Sequence, residues 1–171
     1  MMRSPMPLLL GVGIGALALF ASSASRRRIT PTTPRFLWPV RGYTRLSSGF
    51  GPRIDPVTHR HHHHSGIDIP VPIGTPVLAP AAGEIGRVDV DCGDSDRCPN
   101  GNAVFLLADP YLFCFLHLSH IGVHRDQVVT RGEVLGLSGT SGRSTGPHLH
   151  LQVYQAGVPG GVIDPAGLSY E

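Results

Sequence analysis

The sequence of 171 residues predicts a mainly β fold. Glycine (22 residues) and proline (16) are frequent, and both residues end regular elements and form the turns between short strands. Apolar or alternating runs at 103–107, 111–118 and 148–153 have the length and pattern of strands. No stretch of about 15 residues shows the apolar spacing of an amphipathic helix. With 41% hydrophobic and 15% charged residues, the composition is that of a folded domain.

The N-terminal part, 1–28, is predicted to target the chain to a membrane. Residues 6–24 carry no charge and are just long enough to span a bilayer. Arg3 before them and small residues after them are typical of a secretory signal peptide. Arginines at 26–28 follow at once and would prefer the cytoplasm under the positive-inside rule. A cleaved signal peptide and an uncleaved membrane anchor through 6–24 are both open.

A linker and one domain are predicted after this segment. Residues 29–37 are rich in proline and threonine, as linkers often are. Residues 38–171 are enough to bury one hydrophobic core. The formal charge is only +2, and three positive charges lie at 26–28. The domain is therefore nearly neutral, and nucleic acid is not expected as a partner.

Three cysteines suggest two different environments. Cys92 and Cys98 flank a short polar stretch and could close a small disulfide loop in an oxidising compartment. Two free surface thiols are an equally open interpretation. Cys114 lies in an apolar run and is predicted to be a core thiol, on the strand face opposite His117.

Five side chains are candidates for a metal site and its acid–base groups. His148 and His150 stand at i and i+2 of a predicted strand and share one face, about 6–7 Å apart, which suits one ligand and one neighbouring base. His64 and Asp68 would lie about 13 Å apart in a straight strand, so the chain must bend, and Gly66 between them can do so. His64, Asp68 and His150 then give three ligands and leave a fourth position open, as in catalytic zinc sites.

His117 ends the predicted strand 111–118, where its ring could supply a second acid or base. The histidines within 59–64 raise a question of register, because an exposed run could also bind metal adventitiously. Only His64 stands four residues before Asp68 with a glycine midway. We therefore keep His64 as the ligand.

Several segments, taken in order from 47 to 165, resemble the lysostaphin-type zinc peptidases, a family of cell-wall endopeptidases. The most specific of them is STGPHLH at 144–150. Further segments that carry the resemblance include SGFGPR at 48–53, HSGIDI at 64–69, GTPV at 74–77, LHLS at 116–119 and IDP at 163–165, with shorter matches at 79–83, 101–102, 132–136 and 139–142.

The resemblance implies a small antiparallel β-sheet domain with a groove-shaped zinc site. It implies one Zn²⁺ per chain on His64, Asp68 and His150, with His117 and His148 as catalytic histidines. It also implies hydrolysis of peptide bonds in bacterial peptidoglycan, in the stem peptide or the cross-bridge. The expected location is the cell envelope, periplasmic or extracellular.

Two other functions are open at this point. A non-catalytic module that binds cell wall or activates an amidase would lack one or more of the five residues, and this chain lacks none. A histidine-rich metal-binding membrane protein would explain 59–64 but not 144–150. Zinc stoichiometry separates the enzyme from the histidine-rich protein, because the enzyme needs one tightly bound ion and the histidine-rich protein would bind several weakly.

Overall fold

A computed structural model describes residues 35–55, 58–90 and 98–171. Within these ranges the chain forms short strands and one 3-10 turn, Pro165–Gly167. The strands are β1 Gly51–Ile54, β2 His61–His64, β3 Gly66–Ile69, β4 Pro76–Leu78, β5 Gly83–Asp89, β6 Asn102–Ala108, β7 Tyr111–Leu118, β8 His120–Ile121, β9 Val128–Val129, β10 Val134–Leu137, β11 Leu149–Gln155 and β12 Val162–Ile163. The predicted mainly β fold is confirmed, and the three predicted strands correspond to β6, β7 and β11.

The strand pairs are antiparallel, as the family resemblance implies. The largest sheet has the order β12-β11-β7-β6-β5-β9. β3 also pairs with β11, along 149–152, on the edge where β12 pairs with 153 and 154. Two smaller sheets contain β1-β2 and β4-β10-β8. β11 therefore pairs with three strands, β7 along one edge and β3 and β12 along the other.

Alternation along β3 and β11 separates the core from the opposite face of the large sheet. Ile67 and Ile69 of β3 and Leu151 of β11 are fully buried in the main hydrophobic cluster. Asp68 and His150 pair directly with each other across the two strands. Because successive side chains of a strand point to opposite faces, these two polar residues lie on the face away from the core. The packing of the core thus fixes where the polar pair stands.

The aromatic residue Phe36 belongs to the core, although it falls within the predicted linker 29–37. It is 4% exposed, and its ring centroid lies 5.2 Å from that of Tyr111 in an edge-to-face contact. The predicted targeting segment 1–28, including 6–24, lies outside the described residues. In the part of the chain that the structure describes, no helix has the length and apolar character to cross a bilayer.

The cysteines differ in environment. Cys114 is a free thiol and 2% exposed, as predicted for a core residue. Burial raises the pKa of Cys114 to about 12, although the charge of Arg87 opposes this rise. Cys98 is disulfide-bonded. The predicted Cys92–Cys98 pairing stays a prediction, because Cys92 lies outside the described residues.

Candidate active site

The chain changes sheets between His64 and Asp68, and this change brings the two side chains together. His64 ends β2 in the small β1-β2 sheet, while Gly66 begins β3 in the large sheet. His64 Nε2 consequently lies 3.3 Å from Asp68 Oδ1. The predicted bend exists, but the break between the strands is at Ser65, and Gly66 does not have a positive φ.

Gly66 is required for a different reason, a close approach to β11. A Cβ at this position would lie 2.4 Å from the backbone oxygen of Leu151 and 2.7 Å from His150 Nε2. Ordinary contacts of a Cβ begin at about 3.4 Å. Only glycine therefore lets β3 pair this closely with β11 beside the His150 ring.

Three donor atoms converge at the end of β3 and β11. The distances are 3.1 Å from His64 Nε2 to His150 Nδ1, 3.3 Å from His64 Nε2 to Asp68 Oδ1, and 2.8 Å from His150 Nδ1 to Asp68 Oδ1. Ligands at about 2.0–2.1 Å from a tetrahedral zinc stand about 3.3 Å apart. Among the described residues, this is the one group of three potential His, Cys, Asp or Glu ligands within 4.8 Å of one another. The donor set and spacing therefore fit a zinc ion.

Hydrogen bonding and charge prepare two of these groups as ligands. A ring nitrogen of His64, Nδ1, donates to the Gly49 carbonyl over 2.7 Å, so Nε2 keeps its lone pair for the site. Burial alone would raise the pKa of the Asp68 carboxyl, but the adjacent imidazole rings of His150 and His64 lower it by more, so this pKa lies well below its usual range. Asp68 is therefore a carboxylate at neutral pH.

A β-bulge in β7 turns His117 toward the same site. Between the pairs Asn102–Leu118 and Val104–Phe115, β7 has two residues where β6 has one. His117 is one of these two residues and has a left-handed φ of 63°. Strict alternation would send His117 to the core side with Phe115. Instead its ring centroid lies 4.8 Å from that of His148 and 6.0 Å from that of His150. The prediction that Cys114 and His117 lie on opposite faces is thus wrong, because the bulge interrupts the alternation.

Backbone carbonyls orient the two remaining histidines. His117 Nδ1 donates to Ser141 O and His148 Nδ1 donates to Gly146 O, each over 2.8 Å. Since a carbonyl only accepts, both rings leave Nε2 unprotonated when neutral. His148 Nε2 lies 3.6 Å from Asp68 Oδ1. Burial lowers the pKa of His117 to about 4, although its hydrogen bond to Ser141 opposes this, so the ring is neutral at neutral pH.

The five predicted site residues line one groove, and further polar side chains line it as well. Arg143 donates to both carboxylate oxygens of Asp55, at 2.7 and 2.8 Å, and joins two loops of the groove wall. In the β2 strand His61, His62 and His63 are exposed, whereas His64 is 3% exposed. This difference in burial agrees with the register chosen for His64.

The sequence model of Peptidase family M23 matches residues 62–165, more than half of the chain. The chain belongs to peptidase family M23. This confirms the family resemblance stated above. The M23 chain is 41% identical over 125 residues to the peptidoglycan DD-endopeptidase ShyA of Vibrio cholerae, covering 71% of this chain and 27% of that protein. It is 40% identical over 131 residues to the DD-carboxypeptidase/endopeptidase Mpg of Neisseria meningitidis, covering 74% and 27%.

Solved structures of other peptidases share the fold. A zinc-containing peptidase from Vibrio cholerae superposes with a TM-score of 0.68 and 33% identity, over 81% of this chain and 41% of that one. The catalytic domain of lysostaphin from Staphylococcus simulans gives a TM-score of 0.61 and 30% identity, over 72% and 90%. The M23 chain spans about a quarter of the length of the curated relatives it matches.

Sequence reasoning about this M23 chain missed the groups that orient the site. The carbonyls of Gly49, Ser141 and Gly146 bind the ring nitrogens of three histidines. A backbone carbonyl has no side-chain signature, so only the three-dimensional structure reveals it. Arg53 lies in the segment 48–53, which carries the family resemblance, but its contact with Asp68 was not predicted.

Proposed function

We propose that this chain is a zinc metalloendopeptidase that hydrolyses peptide bonds in bacterial peptidoglycan. The observation that carries the proposal is the convergence of His64 Nε2, Asp68 Oδ1 and His150 Nδ1, with distances of 2.8 to 3.3 Å between them, in one groove with His117 and His148. The names of the relatives in Vibrio cholerae and Neisseria meningitidis support peptidoglycan as the substrate.

His64, Asp68 and His150 would hold one zinc ion. Two neutral imidazoles and one carboxylate are common zinc ligands, and three protein ligands leave a position for water or substrate. A zinc ion held there supplies Lewis acidity, which acidifies water and polarises an amide carbonyl. The carbonyl of Gly49 keeps the His64 ring in the tautomer that this role needs.

His117 and His148 would move the proton during hydrolysis. Amide hydrolysis by water requires that a proton leaves the attacking water and that the departing amine receives one. Both rings have Nδ1 bound to a carbonyl, so Nε2 is the nitrogen free for this transfer. Their ring centroids are 4.8 Å apart, close enough for both to act on one scissile bond.

Digestion of purified peptidoglycan tests the proposal. The full chain, supplied with one equivalent of zinc, is incubated with sacculi that are directly cross-linked and with sacculi that carry glycine bridges. Chromatography with mass spectrometry of the muropeptides should show loss of cross-linked dimers in at least one of them. His150→Ala is the matched inactive control.

The non-catalytic module is the alternative in this assay. Such a module would bind sacculi and release no new peptide, even when it holds zinc. The DD-endopeptidase relatives make the direct cross-link the first substrate to examine. Binding without any change in the muropeptide profile of either substrate would refute the enzyme.

A further inference from the structure

The segment SGFGPR at 48–53 supplies no side chain to the proposed ligand set, yet it contacts two of the ligands. Gly49 accepts the hydrogen bond of His64 through its carbonyl. Arg53 approaches the carboxylate of Asp68, with Nη1 lying 3.4 Å from Oδ2. Ser48 also bridges to Asp68 on the edge of β3 that faces away from β11, so the segment lies beside the site on that edge.

The two carboxylate oxygens of Asp68 have different neighbours. Oδ1 faces His64 Nε2 at 3.3 Å and His150 Nδ1 at 2.8 Å. Oδ2 faces the guanidinium of Arg53 instead. The side chain of Asp68 is 13% exposed and that of Arg53 is 27% exposed, so solvent screens this ion pair less than an exposed one.

Two nitrogen atoms of the Arg53 guanidinium differ in their contacts. Nη1 donates to Ser48 Oγ as well as to Asp68 Oδ2. Nε is buried and has no hydrogen-bond partner among the described residues. An unpaired buried donor is unfavourable, and few occur in folded proteins. Nη1, in contrast, has Ser48 and Asp68 as partners, and these contacts hold the guanidinium beside the carboxylate.

We infer that Arg53 is a positioning residue for the metal: it occupies Asp68 Oδ2 and so leaves Oδ1 as the single ligand atom of that carboxylate. Its positive charge also compensates the carboxylate in a partly buried place. The inference rests on the proposed zinc site. Partners of metal ligands typically contribute about 10- to 100-fold to metal affinity, which is the effect expected from Arg53.

Zinc affinity measured by competition with a chromophoric chelator tests the role of Arg53. Arg53→Met should weaken zinc binding by about 10- to 100-fold. Arg53→Lys should fall between Arg53→Met and the wild type, because it keeps the charge but not the planar fork. Arg143→Met is the matched control, since Arg143 lines the same groove but pairs with Asp55, which is not in the ligand set. Its zinc affinity should stay within about threefold of the wild type.

The visible spectrum of the cobalt-substituted protein gives a second measurement. If Arg53 keeps Oδ2 away from the metal, Arg53→Met should change the coordination spectrum of Co²⁺, while Arg143→Met should not. A loss of stability alone would weaken binding without changing that spectrum. Thermal unfolding of the metal-free variants shows whether each one is folded. If Arg53→Met does not fold, Arg53→Gln takes its place, because it removes the charge and keeps a polar head, and it should show the same changes.

The outcomes separate this inference from the proposed function. Equal zinc affinity and an unchanged cobalt spectrum in folded Arg53→Met, or in Arg53→Gln where that replaces it, would overturn the positioning role. An equal loss of affinity in Arg143→Met would overturn it as well. A wild-type chain that binds one zinc but releases no peptide refutes only the enzymatic function, and the affinity ratio still decides the role of Arg53. A wild-type chain that binds no zinc refutes both.

Discussion

Replacing Gly66 by alanine should damage the sheet and the site together. The new methyl group would lie 2.4 Å from Leu151 O and 2.7 Å from His150 Nε2. The first contact is about 1 Å shorter than an ordinary one. Because the nearest atom belongs to the backbone of β11, no side-chain rotation relieves it, and β3 must move away from β11.

The magnitude follows from this overlap. Inserting one methyl group into a packed site typically costs about 1–3 kcal/mol, and an overlap with backbone belongs at the upper end of that range. A loss of about 2–3 kcal/mol corresponds to a decrease in Tm of roughly 6–9 °C for a domain of this size. Asp68 lies in β3 and His150 in β11, so separating the strands also misplaces two proposed ligands. A displacement of about 1 Å exceeds the tolerance of roughly 0.5 Å for a preorganised site and should weaken zinc binding by at least about tenfold.

Differential scanning calorimetry of the metal-free protein and zinc titration measure the two effects of Gly66→Ala separately. Gly167→Ala is the control, because a Cβ there has no atom within 4 Å and the residue has no positive φ. It should leave Tm within about 2 °C of the wild type. A Gly66→Ala variant with wild-type Tm and wild-type zinc affinity would refute the argument that close approach requires glycine here.

Three further predictions concern the histidines. His150→Ala should abolish zinc binding and hydrolysis, because two protein ligands hold zinc poorly. His61→Ala should leave both nearly unchanged. Full zinc occupancy of His150→Ala in native mass spectrometry would contradict the ligand set. His117→Ala and His148→Ala should each keep about one zinc and lose about 10²- to 10⁴-fold in kcat in steady-state assays. The losses should not add in the double variant, because both rings would serve one transition state. A single variant that is folded but zinc-free would move that histidine into the ligand set. In urea unfolding, the metal-free protein should gain up to about 3 kcal/mol as pH rises from about 4 to 6.5, since the buried ring of His117 has its pKa lowered to about 4 from 6.5 and the unfolded chain binds the extra proton in that interval. His117→Gln should flatten this rise, and an unchanged slope would argue against it.

The sequence predicts elements with strong alternation or continuous apolar runs. β7 and β11 are examples, because their inward residues, such as Phe115 and Leu151, are large and fully buried. β2 consists of four histidines and has no alternation from which a strand could be recognised. β5 contains an irregularity between Ile85 and Arg87 that interrupts its period of two. Irregular register and short length therefore explain why these strands were not predicted.

The five candidate site residues were identifiable because their types and spacing carry information about metal chemistry. Their geometry was less predictable. The bend assigned to Gly66 lies at Ser65, and the glycine serves the close approach of two strands instead. The turn of His117 toward the site depends on a bulge in β7, which is defined by its pairing with β6. Both features arise from contacts between strands far apart in sequence, and a local pattern does not contain them.

The long sequence separation within the proposed ligand set has a consequence for protein synthesis. His150 lies 86 residues after His64 and 82 residues after Asp68, and the three meet only when β3 pairs with β11. A nascent chain that lacks β11 would thus present two of the three proposed ligands and could hold zinc only weakly. Contacts of such high sequence separation form slowly compared with local ones. The proposed hydrolytic activity would consequently begin only after β11 has been made and has paired with β3.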